Sequence, residues 1–295
     1  MYLIQTNEKR MGFSMSAIMM SGKALAEEMN SEMLEMVNNL KTKGITPGLV
    51  VLLVGEDQAS QTYVRNKAKR AEKLGVHSLV KRYPNTITEE ELLNEIDRFN
   101  RDADFHGILV QLPLPKQINA EKVVNAVDSK KDVDGFHPLN MGKLLIGKPD
   151  KIACTPYGIM KLLKRHQIEI AGKTAVVIGR STIVGKPMAQ LLLMNDATVT
   201  MAHSKTQNLA EVARTADILV VAIGRGNFVT KEFIKPGAVV IDVGMNRDAD
   251  GKLIGDIKAD EVAKVAGYLT PVPGGVGPMT ITMLMYQTIE SAKRI

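Results

Sequence analysis

The sequence predicts an α/β protein of two domains: an N-terminal α/β domain, and a doubly wound parallel sheet behind it, with a cleft between them. Short apolar runs carry that expectation first: LVVLLVG (49–55), HGILVQLPLP (106–115), TAVVIG (174–179), DILVVAIG (217–224) and AVVIDVG (238–244). Runs of this length bounded by Gly or Pro suit strands buried on both faces. They alternate with helical patterns, and strict β-α-β alternation demands a parallel sheet. Finally, 295 residues are enough for two domains of ordinary size.

The elements follow in order. Gly22 to Gly44 reads as a helix, because Leu25, Met29, Met33 and Met36 recur at helical spacing and Gly44 is a natural stop. That methionine stripe is core packing. The strand 49–55 leads to SQTYVRNKAKRAEKLG (60–75), a helix. VHSLVKRY (76–83) alternates as a strand. Thr88 and Glu91 make a capping box before a helix through Asn100. The strand at 106–115 is closed by two prolines, and Asn119 to Val127 is a short helix. Between Lys131 and Pro149 the pattern dissolves into Gly, Pro and Asp. Phe136, Leu139, Leu144 and Leu145 keep this irregular stretch from reading as disorder, so it reads as functional.

A second α/β run begins near Thr155. Helix Pro156–His166 precedes the strand 174–179. Next come a helix at 184–195, the strand ATVTMA (197–202), a helix at 209–216 and the strand 217–224. A short helix spans Thr230–Ile234 before the strand 238–244. The chain ends in a Gly/Pro loop, TPVPGGVGPMT (270–280), and a helix to Ile295. The expected division is 1–14 as a disordered extension, 15–154 as the first domain completed by a helix over 281–295, and 155–280 as the second domain.

Charge and composition narrow the function. The net charge is +6, from 38 Lys and Arg against 32 Asp and Glu, and the cations are scattered. Aromatics are only 4%, so the clustered basic and aromatic pattern of a nucleic-acid-binding module is missing. An anionic small molecule fits this balance. No apolar run reaches the ~18 residues of a membrane span. The single cysteine, Cys154, excludes an internal disulfide and a cysteine-rich metal site. It suits a reducing cytoplasmic compartment, and its simplest role is a small buried residue. His106 and His137 stand alone beside Gly or Pro, which suits structural roles; no spacing suggests a metal site.

VVIGRSTIVGKP (176–187) is a strand, a glycine turn and a helix start. The turn is Gly179-x-Ser181-x-x-x-Gly185 and departs from G-x-G-x-x-G. Its physics is that of a Rossmann-like dinucleotide site. Gly179 allows the tight turn, Gly185 lets the helix approach the strand, and the helix N-terminus offers amides and positive dipole to a pyrophosphate. The next strand ends in His203-Ser204-Lys205-Thr206, with no acid to hold ribose hydroxyls. With Arg180 in the turn, basic and hydroxyl groups favour the extra phosphate of NADP; ordinary loop residues are the alternative.

The helix at 60–75 separates its cations by angle. At about 100° per residue, with Val64 at zero, Ala68, Ala71 and Leu74 define an apolar arc. Lys67 falls about 60° round, between Ala71 and Leu74, inside that arc. Arg65, Lys69 and Lys73 lie well outside it and Arg70 at its edge. A solvated face explains those four. Lysines can snorkel out of an arc, so the angle alone leaves two readings of Lys67.

Six ordered motifs settle the resemblance: Ser60-x-x-Tyr63-Val64-x-x-Lys67, Gln111-Leu-Pro-Leu-Pro115, Asp132-Val-Asp134-Gly-Phe136-His-Pro138, Cys154-Thr-Pro156, Gly179-Arg-Ser181-x-Ile-Val-Gly185-x-Pro187, and the Pro271–Thr280 loop. From about Ser16 to the end, the chain resembles the methylenetetrahydrofolate dehydrogenase/cyclohydrolase family in its compact bacterial form. The resemblance implies hydride transfer from a folate methylene bridge to NADP, then hydrolysis of the methenyl product to 10-formyltetrahydrofolate. It makes Lys67 the general base or proton carrier, with Tyr63 and Gln111 beside it. It assigns folate contacts to Ser60, Tyr63, Gln111, Leu112, Asp134, Pro273, Gly274 and Gly275. Asp132 competes with Asp134 as the pterin anchor, and the resemblance selects Asp134. It assigns cofactor contacts to Gly179, Arg180, Ser181, Ile183, Ser204, Lys205, Met245 and Thr280; Met245 stands where the family commonly has Ile. It also implies a homodimer through the cofactor domain. A shikimate-dehydrogenase-type NADP oxidoreductase shares the two-domain plan but needs neither the Tyr–Lys pair nor the Pro-Gly-Gly loop.

Overall fold

The computed structural model describes residues 16–294, so the expectation for 1–14 lies outside the described residues. The chain opens with β1 (Ile18–Met19) and α1 (Gly22–Lys41), capped by the Ser21 hydroxyl, which accepts from the Ala24 N–H. The buried stripe of α1 is Leu25, Met29, Met33 and Val37; Met36 is only half-buried. Then follow β2 (Gly48–Val54), α2 (Gln58–Leu74), β3 (His77–Tyr83), α3 (Glu89–Arg101), β4 (Gly107–Val110) and α4 (Ala120–Ala126). β2 is buried along its whole length, because it is the centre of a parallel three-stranded sheet ordered β3-β2-β4. α2 stops where Gly75 turns left-handed (φ 69°), a conformation that favours glycine. The Thr88–Glu91 capping box at α3 is formed from both sides.

The stretch expected to be irregular contains a helix, α5 (Pro138–Leu145). Pro138 sits in its first turn, where a missing N–H costs nothing, and the His137 ring caps it by accepting from the Leu139 N–H. A proline that helped the stretch read as irregular is thus part of a helix start, and His137 has the structural role expected of it.

The remaining elements are α6 (Cys154–Arg165), β5 (Thr174–Ile178), α7 (Gly185–Met194), β6 (Thr198–Ala202), α8 (Leu209–Ala213), β7 (Ile218–Val221), β8 (Val239–Asp242), β9 (Asn246–Arg247), β10 (Leu253–Ile254), α9 (Ala259–Val262), β11 (Tyr268–Leu269) and α10 (Val276–Ala292). Six strands form one parallel sheet, ordered β1-β11-β8-β7-β5-β6. β5 leads to β6 on one side and then the chain crosses back to β7 on the other. The carboxyl end of β5 is therefore the topological switch point, where open α/β sheets bind ligands.

Two boundaries differ from the sequence expectation. β1, placed in the first domain, pairs with β11 and extends the second sheet. The last helix begins at Val276, not 281, so Thr280 lies in its second turn. α10 packs against α1 and α6, and one apolar core runs from Leu49, Val51 and Leu53 through these helices to Val177, Ile218 and Ile241. That shared core fixes the two sheets as the walls of one cleft.

Candidate active site

α2 carries one apolar face against the core, and its predicted arc is buried except for Ala68, which is half-buried. Val64, Ala71 and Leu74 are buried; Arg65, Lys69 and Lys73 are exposed; Lys67 is 6% exposed. Its ammonium donates to Gln111 Oε1 at 2.9 Å and sits 5.8 Å from the centre of the Tyr63 ring. The Gln111 amide is oriented by its own Nε2, which donates to the Leu112 carbonyl at 2.7 Å. Burial pushes the Lys67 pKa below the usual lysine range, with Asp134 pulling it partly back.

The two aspartates of the 132–134 loop separate cleanly. Asp132 is buried and already saturated: its carboxylate accepts from the Gly135, Phe136 and His137 N–H groups and from Asn140 Nδ2. It is the peg that shapes the loop. Asp134 keeps a face open to the cleft. Burial pushes its carboxyl up to about 6, against the pull of Lys67 and with repulsion from Asp132 adding to the rise. Cys154 lies behind this pair, 1% exposed, its thiol donating to the Val133 carbonyl. Burial holds it protonated, which leaves no thiolate for a nucleophilic role.

These groups line a cavity of about 230 Å³ between the two halves of the molecule. Tyr63, Lys67, Gln111, Leu112 and Asp134 come from one side; Ile183, Met245 and Thr280 come from the other. A second cavity of about 450 Å³ adjoins it and shares Tyr63, Val243 and Met245. The Tyr63 hydroxyl donates to Met245 Sδ at 2.6 Å across the cleft. Pro273, Gly274 and Gly275 border this second cavity. Ser60, buried in the first turn of α2, lines neither. Thr155, which shares a hydrogen bond of 2.9 Å with Thr280, and Phe136 also line the first cavity; both stand in the family motifs, but neither is among the contacts the resemblance assigns. Gly275 is also tightly packed: a Cβ on it would lie 2.5 Å from the Pro271 carbonyl, and its own carbonyl lies 1.8 Å from where a Cβ on Gly22 would sit, so α1 starts flush against the loop.

The glycine turn closes as tightly as only glycine permits. A Cβ on Gly185 would lie 2.3 Å from the Gly179 carbonyl. Ser181 Oγ accepts from the Val184 and Gly185 N–H groups at 3.2 Å each, so its oxygen caps α7 and its own proton remains free to donate. Among the described residues the N–H groups of Arg180 and Ser181 meet no acceptor. They are unclaimed donors in the turn just ahead of α7, where the switch point of the sheet would receive a pyrophosphate. Arg180, Ser204 and Lys205 are exposed at the ends of neighbouring strands β5 and β6, with no carboxylate among them.

Residues 20–134 match the family model described as the catalytic domain of tetrahydrofolate dehydrogenase/cyclohydrolase, and residues 153–295 match its NAD(P)-binding domain. The chain belongs to the tetrahydrofolate dehydrogenase/cyclohydrolase family. It is 67% identical to the bifunctional protein FolD of Enterococcus faecalis over 274 residues, covering 93% of this chain and 98% of that protein. It is 64% identical to the FolD of Streptococcus suis over 274 residues, 92% and 97% of the two chains. Among solved structures, the Campylobacter jejuni FolD dehydrogenase/cyclohydrolase superposes with a TM-score of 0.93 at 48% identity, covering 95% and 99%. The Trypanosoma brucei enzyme, solved with NADP and an inhibitor, gives 0.91 at 40% identity, covering 95% and 98%. A shikimate dehydrogenase from Aquifex aeolicus shares the fold alone, at 18% identity and a TM-score of 0.50. The six motifs of the dehydrogenase/cyclohydrolase family thus converge on one cleft here.

Proposed function

We propose that this cleft oxidises 5,10-methylenetetrahydrofolate to the 5,10-methenyl cation with NADP, then hydrolyses that cation to 10-formyltetrahydrofolate. The observation that carries the reading is buried Lys67 bonded to half-buried Gln111, facing Asp134 in a cavity walled by both domains. The Arg180–Gly185 turn and its free amides fit the pyrophosphate, and Arg180, Ser204 and Lys205 fit a 2′-phosphate. NADP, when bound, accepts the hydride. The chain's part in that step is positioning: Tyr63 stacks the folate, Asp134 holds the amino-pyrimidine edge through two hydrogen bonds, and no base is required. In the second step water adds to the methenyl carbon and the ring opens. Lys67, kept partly neutral by burial, takes a proton from the attacking water and returns one to the leaving ring nitrogen; Gln111 keeps the amine on line.

We infer a homodimer as well. β6 is the edge of the large sheet, and Leu145, Ile146, Leu193 and Met201 leave an exposed apolar face beside it. Sedimentation of the wild type and of Leu145→Glu tests this; a monomeric wild type refutes it. No helix among the described residues is long and apolar enough to cross a membrane. We place the enzyme in the cytoplasm, where folate cofactors and a lone reduced cysteine both fit.

The deciding assay offers methylenetetrahydrofolate with NADP or NAD and follows reduced cofactor and methenyl product in one cuvette. Reduced cofactor appearing with transient methenyl absorbance, faster with NADP, is expected. No reduced cofactor with either nucleotide overturns the reading.

A further inference from the structure

Two buried carboxylates stand behind the cofactor side of the cleft. Asp242, at the end of β8, is 3% exposed, and Asp256 is fully buried. Asp256 Oδ2 accepts from the Ile223 and Gly224 N–H groups at 2.7 and 3.0 Å. Its Oδ1 accepts from the Arg225 N–H at 2.8 Å and from Asn246 Nδ2 at 2.9 Å. Asp242 in turn accepts from the Asp256 N–H at 2.9 Å, from the Gly244 N–H at 2.8 Å and from the Ile257 N–H at 3.0 Å. Every partner is a neutral N–H. Among the described residues neither carboxylate pairs with a lysine or arginine.

Such an arrangement is costly, because a buried anion without a cation depends wholly on its hydrogen bonds. Burial pushes the Asp242 carboxyl up to about 6 even though three amides oppose the rise. Room for it is made by glycine. A Cβ on Gly244 would lie 2.5 Å from Asp256 Cγ, and one on Gly255 would lie 1.8 Å from Asp242 Oδ2.

The segments gripped are the two loops that follow β7 and β8. The first, from Ala222 to Arg225, abuts the glycine turn: a Cβ on Gly179 would lie 2.3 Å from the Ala222 carbonyl. The second, from Val243 to Asn246, puts Val243 and Met245 into the catalytic cavity. One carboxylate thus ties together the loops at the carboxyl ends of β7 and β8, and the first of these loops abuts the end of the adjacent β5, where a doubly wound sheet takes its dinucleotide.

We propose that Asp256, seated on Asp242, is a positioning residue for the dinucleotide: by gathering three consecutive amides and Asn246 it sets the spacing of the two loops that wall the cofactor side. This rests on reading the cleft as a dehydrogenase/cyclohydrolase site. It touches none of the groups assigned to methenyl hydrolysis, and that reaction uses no nucleotide. The two activities therefore separate a cofactor-positioning role from a general structural one.

The variant is Asp256→Asn, which keeps the shape but replaces one acceptor oxygen with a donor that cannot serve the same N–H groups. Four quantities are read: the Kd for NADP by titration calorimetry, the KM for NADP, the cofactor-free rate of methenyl hydrolysis, and the Tm. The expected result is an NADP Kd weakened ~10- to 100-fold, the size of a lost hydrogen bond to a charged group. The KM follows, and hydrolysis stays within about twofold. An unchanged Kd overturns the proposal. So does an equal loss of both activities, which marks a structural role. Should Asp256→Asn fail to fold, Asn246→Ala removes one donor to the same carboxylate; a rise in the Kd for NADP with hydrolysis preserved supports the proposal, and no rise overturns it. Turnover of methylenetetrahydrofolate by the wild type is the separate control on the parent reading.

Discussion

Replacing Lys67 with methionine isolates proton transfer from everything else the site does. Lysine and methionine have similar reach, and the substituted side chain lies in an apolar arc that already holds Val64, Ala71 and Leu74. On stability two effects oppose. Loss of the ammonium removes the cost of keeping a charge at 6% exposure. It also strips Gln111 Oε1 of its donor, about 1–3 kcal/mol if that oxygen stays dry. The oxygen faces the cavity, where water reaches it, so the net change is expected to lie within about 1 kcal/mol of zero. On activity nothing opposes. A positioned general base contributes about 10²–10⁴-fold, or roughly 3–5 kcal/mol of barrier. Hydrolysis of methenyltetrahydrofolate, followed as loss of its absorbance, should fall by at least about 100-fold. Hydride transfer, which needs no base, should keep its kcat within a few fold, so the methenyl product should accumulate. The pH profile gives a second reading. Lys67 must be neutral to act, so wild-type hydrolysis rises with pH toward a pKa that burial sets below the usual lysine value; the variant's residual rate should lack that rise. Hydrolysis by Lys67→Met within about threefold of wild type would refute the assignment.

Asp134, with its carboxyl pushed up to about 6, accepts two hydrogen bonds from the pterin only when ionised, so the folate KM should rise as pH falls below about 6. Asp134→Asn should bind folate poorly at every pH and flatten that profile; a profile unchanged in shape assigns the titration elsewhere. Ser204→Asp puts an anion where a 2′-phosphate is expected, and should raise the KM for NADP about tenfold more than the KM for NAD. Equal changes mean the phosphate lies elsewhere. Lys151, 2% exposed and bonded to the Ser291 hydroxyl, has its pKa lowered to about 8, chiefly by burial. The unfolded lysine titrates near 10.4, so the native state sheds its proton first and the penalty of the buried charge fades as pH rises through that window. Relative to Lys151→Met, the wild type should therefore gain stability between pH 8 and 10; a constant Tm difference refutes this.

Periodicity carried most of the fold, and the exceptions share a cause. Long helices and buried strands advertise themselves because burial along a whole face imposes a repeat, as in α1 and β2. β1, β9, β10 and β11 are two residues each, too short to hold a repeat, and β1 is defined only by its partner Tyr268–Leu269. α5 was hidden because its start is written in His137 and Pro138, residues that signal a turn equally well. In the site, the helical angle separated Lys67 from the four other cations of its helix, since burial is a property of one helix face. Asp132 and Asp134 could not be separated that way. They lie two residues apart in a loop with no period, and only the count of donors distinguishes them: four N–H groups converge on Asp132, which leaves Asp134 as the carboxylate free to meet a ligand. Asp256 was silent for the same reason. Its meaning lies in amides at 223–225, some thirty residues earlier, and a backbone donor has no signature in sequence. Side chains that act on other side chains can be inferred from residue type and spacing; side chains that act on backbone become visible only once the chain has folded around them.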